Sequence, residues 1–176
     1  VSIEQVLEML EKCPAKWLVC YVKLKLMTAL RQVDLLLLTV RNITPEGILV
    51  TPHKTENSTG KTILFEWDDG GELRAVINQI RAIPPTSIYF FTTTQGKLFF
   101  ENGTRTAAFK SAWARWMVKF PKEQRFSERS IRNLVLSEDD FDKAFNRSGN
   151  AIPSTTAKFY RLKPVLATPL TLSDSS

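Results

Sequence analysis

Tyr160 lies in the run Ser154-Thr-Thr-Ala-Lys-Phe-Tyr-Arg-Leu-Lys-Pro164. Before it come an arginine in Thr28-Ala-Leu-Arg-Gln-Val-Asp34, a lysine in Thr51-Pro-His-Lys-Thr55 and a second arginine in Arg129-Ser-Ile-Arg132. These types are what attack on a phosphodiester requires. The ester is anionic and resists a nucleophile. Two guanidiniums, here Arg31 and Arg132, can hold its non-bridging oxygens in fork geometry and stabilise the charge that builds during attack. A tyrosine hydroxyl, of ordinary pKa about 10, can supply the nucleophile, and the covalent intermediate would conserve the bond energy. Lys54 can donate a proton to the leaving oxygen. Asp34 lies one helical turn beyond Arg31 and can orient it.

The charge distribution agrees with an anionic partner. The chain has 176 residues, 24 Lys and Arg, 18 Asp and Glu and a net charge of +6. The excess is concentrated. From Arg105 to Leu134 eight basic residues face two acidic ones, Glu123 and Glu128, and from Lys143 to Lys163 there is no acidic residue. Such one-sided charge is the footprint of a nucleic-acid partner. Arg105, Lys110, Arg115, Lys119, Lys158 and Arg161 are candidate contacts to the DNA backbone, which position a protein without specifying sequence. An apolar content of 43% argues for a folded domain, and no segment reads as a signal peptide or a membrane span. Cys13 and Cys20, seven positions apart on helical sequence, are about 10 Å apart along a helix, too far for a disulfide. They read as thiols in a reducing compartment. No Cys/His cluster has metal-ligand spacing and no cofactor loop is visible. Asn57, Asn102 and Asn146 each open an N-x-S/T triplet, which without a secretory context is a chance match.

The elements that must position these residues can be read in order. Ser2 and Gln5 form a capping box for a first helix with Ile3, Val6, Leu7 and Leu10 on its buried face. Pro14 fits the first turn of a second helix running to about Leu30. A third helical stretch follows Arg31 and extends through Leu35 to Leu38. Residues 47–51 and 62–67 read as a hairpin. A helix over 71–83 ends at Pro84-Pro85, and 88–92 reads as a strand. The stretch 106–120 is an amphipathic helix with Phe109, Ala112, Trp113, Trp116 and Phe120 on one side. Ser127 caps a helix carrying Arg129 and Arg132, and shorter helices follow around 139–147 and 154–161. Residues 165–176 read as an extended tail. The class is α+β, mainly helical with a small antiparallel sheet.

Five boxes in this order resemble the catalytic domain of the tyrosine recombinases, the phage-integrase family. Thr28-Ala-Leu-Arg-Gln-Val-Asp34 is similar to the family's TGLRxxE box. Lys54-Thr55 with Gly60-Lys61 resembles its hairpin KTGK motif with a short insertion. Thr62-Ile-Leu-Phe-Glu-Trp67 resembles the strand that follows. Arg125-Phe-Ser-Glu-Arg-Ser-Ile-Arg132 resembles FxxHDLR, and Gly149-Asn150 falls at the GH position. Thr155-Thr156 with Tyr160-Arg161 resembles the nucleophile box.

The resemblance implies site-specific cleavage and rejoining of double-stranded DNA through a 3′-phosphotyrosine on Tyr160, without cofactor or metal. It implies Arg31, Arg132 and Lys54 as catalytic residues, with Lys61 as the alternative general acid because of the insertion. It also implies a homo-tetramer on paired DNA sites in a prokaryotic or phage cytoplasm, at the nucleoid, with the tail docking on a neighbour. The expected organisation is a catalytic domain over 1–164 and a tail over 165–176. The family's N-terminal core-binding domain is absent from this chain, so the isolated domain should be a monomer that binds DNA weakly. Two positions depart from the pattern. Arg129 stands where the family has its second-box histidine, and Asn150 where it has a histidine or tryptophan. Both can donate to phosphate, but an arginine stays protonated and is no base. A degenerate domain that binds DNA without efficient cleavage is therefore the alternative reading. His53 reads as a loop residue.

Overall fold

In the computed structural model, residues 1–53, 60–68, 70–138, 165–167, 169–170 and 172 are described. Ser2 caps α1 (Ile3–Leu10) through the expected box: its hydroxyl accepts from the Gln5 amide and the Gln5 side chain accepts from the Ser2 amide. The buried face of α1 is Ile3, Val6, Met9 and Leu10. Met9, rather than Leu7, completes the stripe, and its carbonyl accepts the Trp116 indole N–H at 2.9 Å.

The second helix, α2 (Lys16–Thr28), is the centre of the molecule. Leu18, Tyr21, Val22, Leu24, Leu26 and Met27 are wholly buried, so apolar residues occupy all sides of the helix rather than one stripe, as a helix enclosed by neighbours requires. Pro14 precedes this helix instead of opening it; Ala15 takes the cap position. The far end also stops short of Leu30. Ala29 adopts a left-handed conformation, φ 51°, which breaks the helical path and starts the turn into α3 (Gln32–Leu36).

β1 (Gly47–Val50) and β2 (Ile63–Glu66) pair antiparallel, with Gly47 opposite Glu66 and Val50 opposite Ile63. This is the expected hairpin. The tail departs from expectation: β5 (Val165–Ala167) lies parallel to β2, with Phe65 opposite Ala167, and makes a three-stranded sheet of order β1-β2-β5. Past the strand, the Leu170 amide donates to the Met27 carbonyl at 2.9 Å and the Leu172 amide to Glu72 at 2.7 Å. Val165–Ala167, Leu170 and Leu172 are thereby tied to this chain's own core. The two segments read as helices around 139–147 and 154–161 lie outside the described residues.

The helix α4 (Glu72–Arg81) packs on α2 through Leu73, Val76, Ile77 and Ile80. Its first amides, of Glu72 and Leu73, donate to the Asp68 carboxylate at 2.7 and 2.9 Å, a charge-assisted cap at the positive end of the helix. Residues 88–92 do not form the expected strand. They make two separate bridges, Tyr89 to Thr39 and Thr92 to Leu98. The first is flanked by hydrogen bonds from the Val40 amide to the Ile88 carbonyl at 2.8 Å and from the Phe90 amide to the Leu38 carbonyl at 2.9 Å, so the stretch divides its pairing between two segments. A second small sheet went unread in the sequence: β3 (Phe100–Glu101) and β4 (Thr104–Arg105), joined by Asn102 and Gly103 at φ 49° and 75°. Asn-Gly is the pair that a tight hairpin turn with two positive φ angles favours.

Thr106 then opens α5 (Ala107–Met117), whose Phe109, Ala112 and Trp116 are buried. Ser127 precedes α6 (Glu128–Glu138) and accepts from the Ser130 amide at 3.3 Å. An aromatic cluster joins α2, α5 and the segments beside them: Trp17 stacks on Phe99 at 4.0 Å, and Tyr21 meets Phe91 and Phe109 edge-on at 5.5 and 5.3 Å. Cys13 lies before α2 and Cys20 within it, and both are free thiols. The α+β class, mostly helical with small sheets, is the one expected.

The hairpin depends on one glycine. A Cβ at Gly47 would sit 2.0 Å from the Phe65 carbonyl oxygen, which strand backbone cannot accommodate without shifting. Gly47→Ala should therefore destabilise the domain by about 1–3 kcal/mol, read as a lower urea midpoint with an unchanged slope.

Candidate active site

The turn between α2 and α3 carries Arg31, the residue before α3. Arg132 comes from α6, more than a hundred positions away, and its guanidinium donates to the carbonyl of Ala29, two residues before Arg31. Both arginines are half-buried. They lie close enough that Arg31, after burial itself, is the next cause lowering the Arg132 pKa to about 10, while Asp34 and Glu128 oppose the shift. Arg132 remains a cation at neutral pH. Two cations held together at a partly buried point form a site that an anion would relieve.

Asp34 lies on α3, three residues after Arg31, and is buried. Its Oδ1 accepts the His53 amide at 2.8 Å. Burial raises its pKa, opposed by that amide and by the charges of Arg31, Arg132 and His53. His53, expected to be a loop residue, is thus part of the surroundings of Asp34.

Two charged residues that the sequence reading did not single out underlie the site. Lys25 is 1% exposed and pairs with Glu128, 5% exposed, at the start of α6. The same Glu128 oxygen accepts the Tyr21 hydroxyl at 2.5 Å. Lys25 Nζ also donates to the Leu30 carbonyl at 3.1 Å. Burial lowers the Lys25 pKa, with Glu128 opposing, and burial and then Glu128 hold the Tyr21 hydroxyl well above its usual value. One signal was present in the sequence. A helix apolar on all sides leaves a lysine at Lys25 no route to water, so it must have a buried partner; which residue that would be was not legible.

The other candidates fall at different distances from this centre. Lys61 precedes β2 and is half-buried, and burial lowers its pKa. Arg129 is exposed, on the turn of α6 next to Glu128. Arg105, exposed on β4, is near enough to the floor of the site to lower the Tyr21 pKa. Lys110 and Arg115 are exposed on α5 but about 140° apart around it, so they do not form one stripe with Lys119. Tyr160, Lys54, Asn150, Lys158 and Arg161 lie outside the described residues. Among the described residues no group of His, Cys, Asp and Glu could hold a metal ion, and no helix is long and apolar enough to cross a membrane.

This architecture is the fold of a tyrosine-recombinase catalytic domain. The chain is similar to lambda integrase, in a structure of residues 75–356 as a dimer bound to a COC′ core site, with a TM-score of 0.60 and 16% identity over 92% of this chain and 58% of that one. It is similar also to a lambda integrase tetramer bound to a Holliday junction, with a TM-score of 0.63 and 15% identity over 92% of this chain and 47% of that one. The chain therefore spans about half the length of the integrases it matches. No protein-family model and no curated protein matches the sequence.

Asp34→Asn separates burial from charge at this site. The amide can still accept from His53. Because the folded pKa of Asp34 is raised above its ordinary 3.8, ionisation there opposes folding. The stability of the parent is fully present below the unfolded value and is lost as pH rises through the folded one. At pH 7 the variant should have a urea midpoint at or above the parent's, and this advantage should vanish as the pH approaches 4. A lower midpoint at pH 7 would mean that the arginines outweigh burial.

Proposed function

We propose that this chain is the catalytic domain of a DNA strand-exchange enzyme that cleaves and rejoins a phosphodiester through a 3′-phosphotyrosine on Tyr160. The observation that carries the reading is that Arg132, more than a hundred positions on, donates to the Ala29 carbonyl two residues before Arg31, beside the turn that leads to the buried Asp34. In this reading Arg31 and Arg132 hold the non-bridging oxygens of the scissile phosphate and stabilise the pentavalent transition state. Tyr160 forms the covalent bond to phosphorus as the 5′-oxygen departs. Lys54 protonates that oxygen, with Lys61 as the alternative. Arg129 and Asn150 donate to phosphate oxygens in place of the family's histidines. Arg105, Lys110, Arg115, Lys119, Lys158 and Arg161 contact the DNA backbone. Double-stranded DNA is the partner, and several copies assemble on it in the longer protein, as the likeness to DNA-bound integrase dimers and tetramers suggests.

One observation favours a second reading, a domain that holds DNA without efficient cleavage. The second-box position is an exposed arginine, which cannot take up a proton.

A library of duplexes nicked near a randomised cleavage region tests both readings. The enzyme should leave a covalent protein–DNA adduct that is absent in Tyr160→Phe. Arg31→Ala and Arg132→Ala should each lower its rate by about 10²–10³. Salt-dependent binding with no adduct from the parent would establish the second reading instead.

A further inference from the structure

The catalytic proposal gives no role to the buried Lys25, Glu128 and Tyr21. Their hydrogen bonds converge on the backbone that leads into Arg31. Lys25 Nζ donates to the Leu30 carbonyl at 3.1 Å. Arg132 donates to the carbonyl of Ala29. The two peptide oxygens immediately before Arg31 thus each receive an N–H from a cation, one on α2 and one on α6. Glu128 joins the two supports: it pairs with Lys25 across the helix interface and stands one turn before Arg132 on the same helix. Tyr21 fixes the same Glu128 oxygen from below. The turn being held is a demanding one, because Ala29 is a non-glycine residue at φ 51°, a conformation that ordinary residues enter at a cost. Lys25, Arg31 and Arg132, with Arg105 close by, outnumber the carboxylates of Asp34 and Glu128, so the cluster keeps positive charge in excess for an incoming anion.

We propose that Glu128 and Lys25, steadied by Tyr21, are positioning residues that fix the separation of Arg31 and Arg132 and so preset the phosphate site. This rests on the reading of those arginines as phosphate holders. The pair's contribution is geometric. Buried ion pairs are commonly no more stabilising than apolar residues of similar volume, so the fold alone does not require these charges. Losing them frees the Leu30 carbonyl and removes the acid that ties α6 to α2. Arg31 and Arg132 would remain in the chain but no longer at a fixed distance.

The test is the affinity of the 176-residue chain for inorganic phosphate, measured by calorimetry alongside thermal stability. The double variant Lys25→Met with Glu128→Leu removes both charges at once. Because the Leu30 carbonyl and the Tyr21 hydroxyl lose these partners, its melting temperature should fall by several degrees or more, and binding is compared at a temperature where it is folded. Its phosphate affinity should fall about tenfold, the scale of one lost charge-assisted hydrogen bond. Tyr21→Phe, which removes a single hydroxyl, keeps the test informative if the double variant does not fold; it should weaken phosphate binding by about two- to threefold. Arg31→Ala supplies the control. Parent binding that depends on Arg31 but is unchanged in the folded double variant, or in Tyr21→Phe if the double variant does not fold, overturns the positioning role alone. Parent binding indifferent to Arg31 overturns the phosphate reading, and the positioning role with it.

Discussion

A lysine enclosed in an apolar helix admits few solutions. Lys25 is 1% exposed, on a helix whose surrounding side chains are Leu, Val and Met, and an unpaired ammonium there would cost several kcal/mol in desolvation alone. The chain supplies Glu128 as counter-charge from α6. That choice constrains much of the rest. It fixes α6 against α2 at one register, because an ion pair between buried groups tolerates little displacement. Since Arg132 lies one turn further along α6, the same register sets where Arg132 meets the end of α2. The turn at Ala29 and Leu30, both of whose carbonyls accept from these cations, becomes the joint between core and surface.

Core and candidate site also share atoms. Tyr21 packs edge-on against Phe91 and Phe109 with its ring, while its hydroxyl donates to Glu128. One face of this residue belongs to the aromatic core and its tip to the polar floor under the arginines. Loosening the aromatic packing would therefore reach the arginines through one side chain, without touching either. The sheet is connected in the same way: the chain after β5 returns to α2 at the Met27 carbonyl, two residues before Ala29.

What could be read in the sequence divides along the range of the interactions. The capping box at Ser2 and the periodicity of α1, α4 and α5 are local, and these elements formed where expected. The end of α2 was misplaced by two residues because Ala29, at the place of the glycine in the TGLRxxE box, is left-handed and breaks it. The stretch 88–92 divides its pairing between residues 38–40 and Leu98 instead of forming one strand, and β5 was read as tail because its partner β2 lies a hundred positions earlier. Asn102-Gly103 was a local signal that was passed over. Of the candidate site, Arg31, Asp34 and Arg132 were legible as a pattern of types and spacing. Lys25 carried a signal as a lysine on an apolar helix, but its partner Glu128 did not, since the pairing joins two helices far apart in the chain.

The geometry of α6 sharpens what the arginine at the second-box position can contribute. Glu128 and Arg132 are four positions apart and Arg129 and Arg132 three, so Arg132 stands between the other two on the helix surface. Its inner neighbour is a buried acid and its outer neighbour an exposed base. Arg132 thus stands between a buried acid already paired with Lys25 and an exposed cation, an arrangement that leaves its outer side positive toward an anion from solvent. A histidine at position 129 would add a group able to give or take a proton near neutral pH. An arginine adds permanent charge and a donor only. In the proposed reading, residue 129 therefore offers electrostatic hold and no proton transfer. If Tyr160 is the nucleophile, the proton it sheds must find an acceptor other than residue 129.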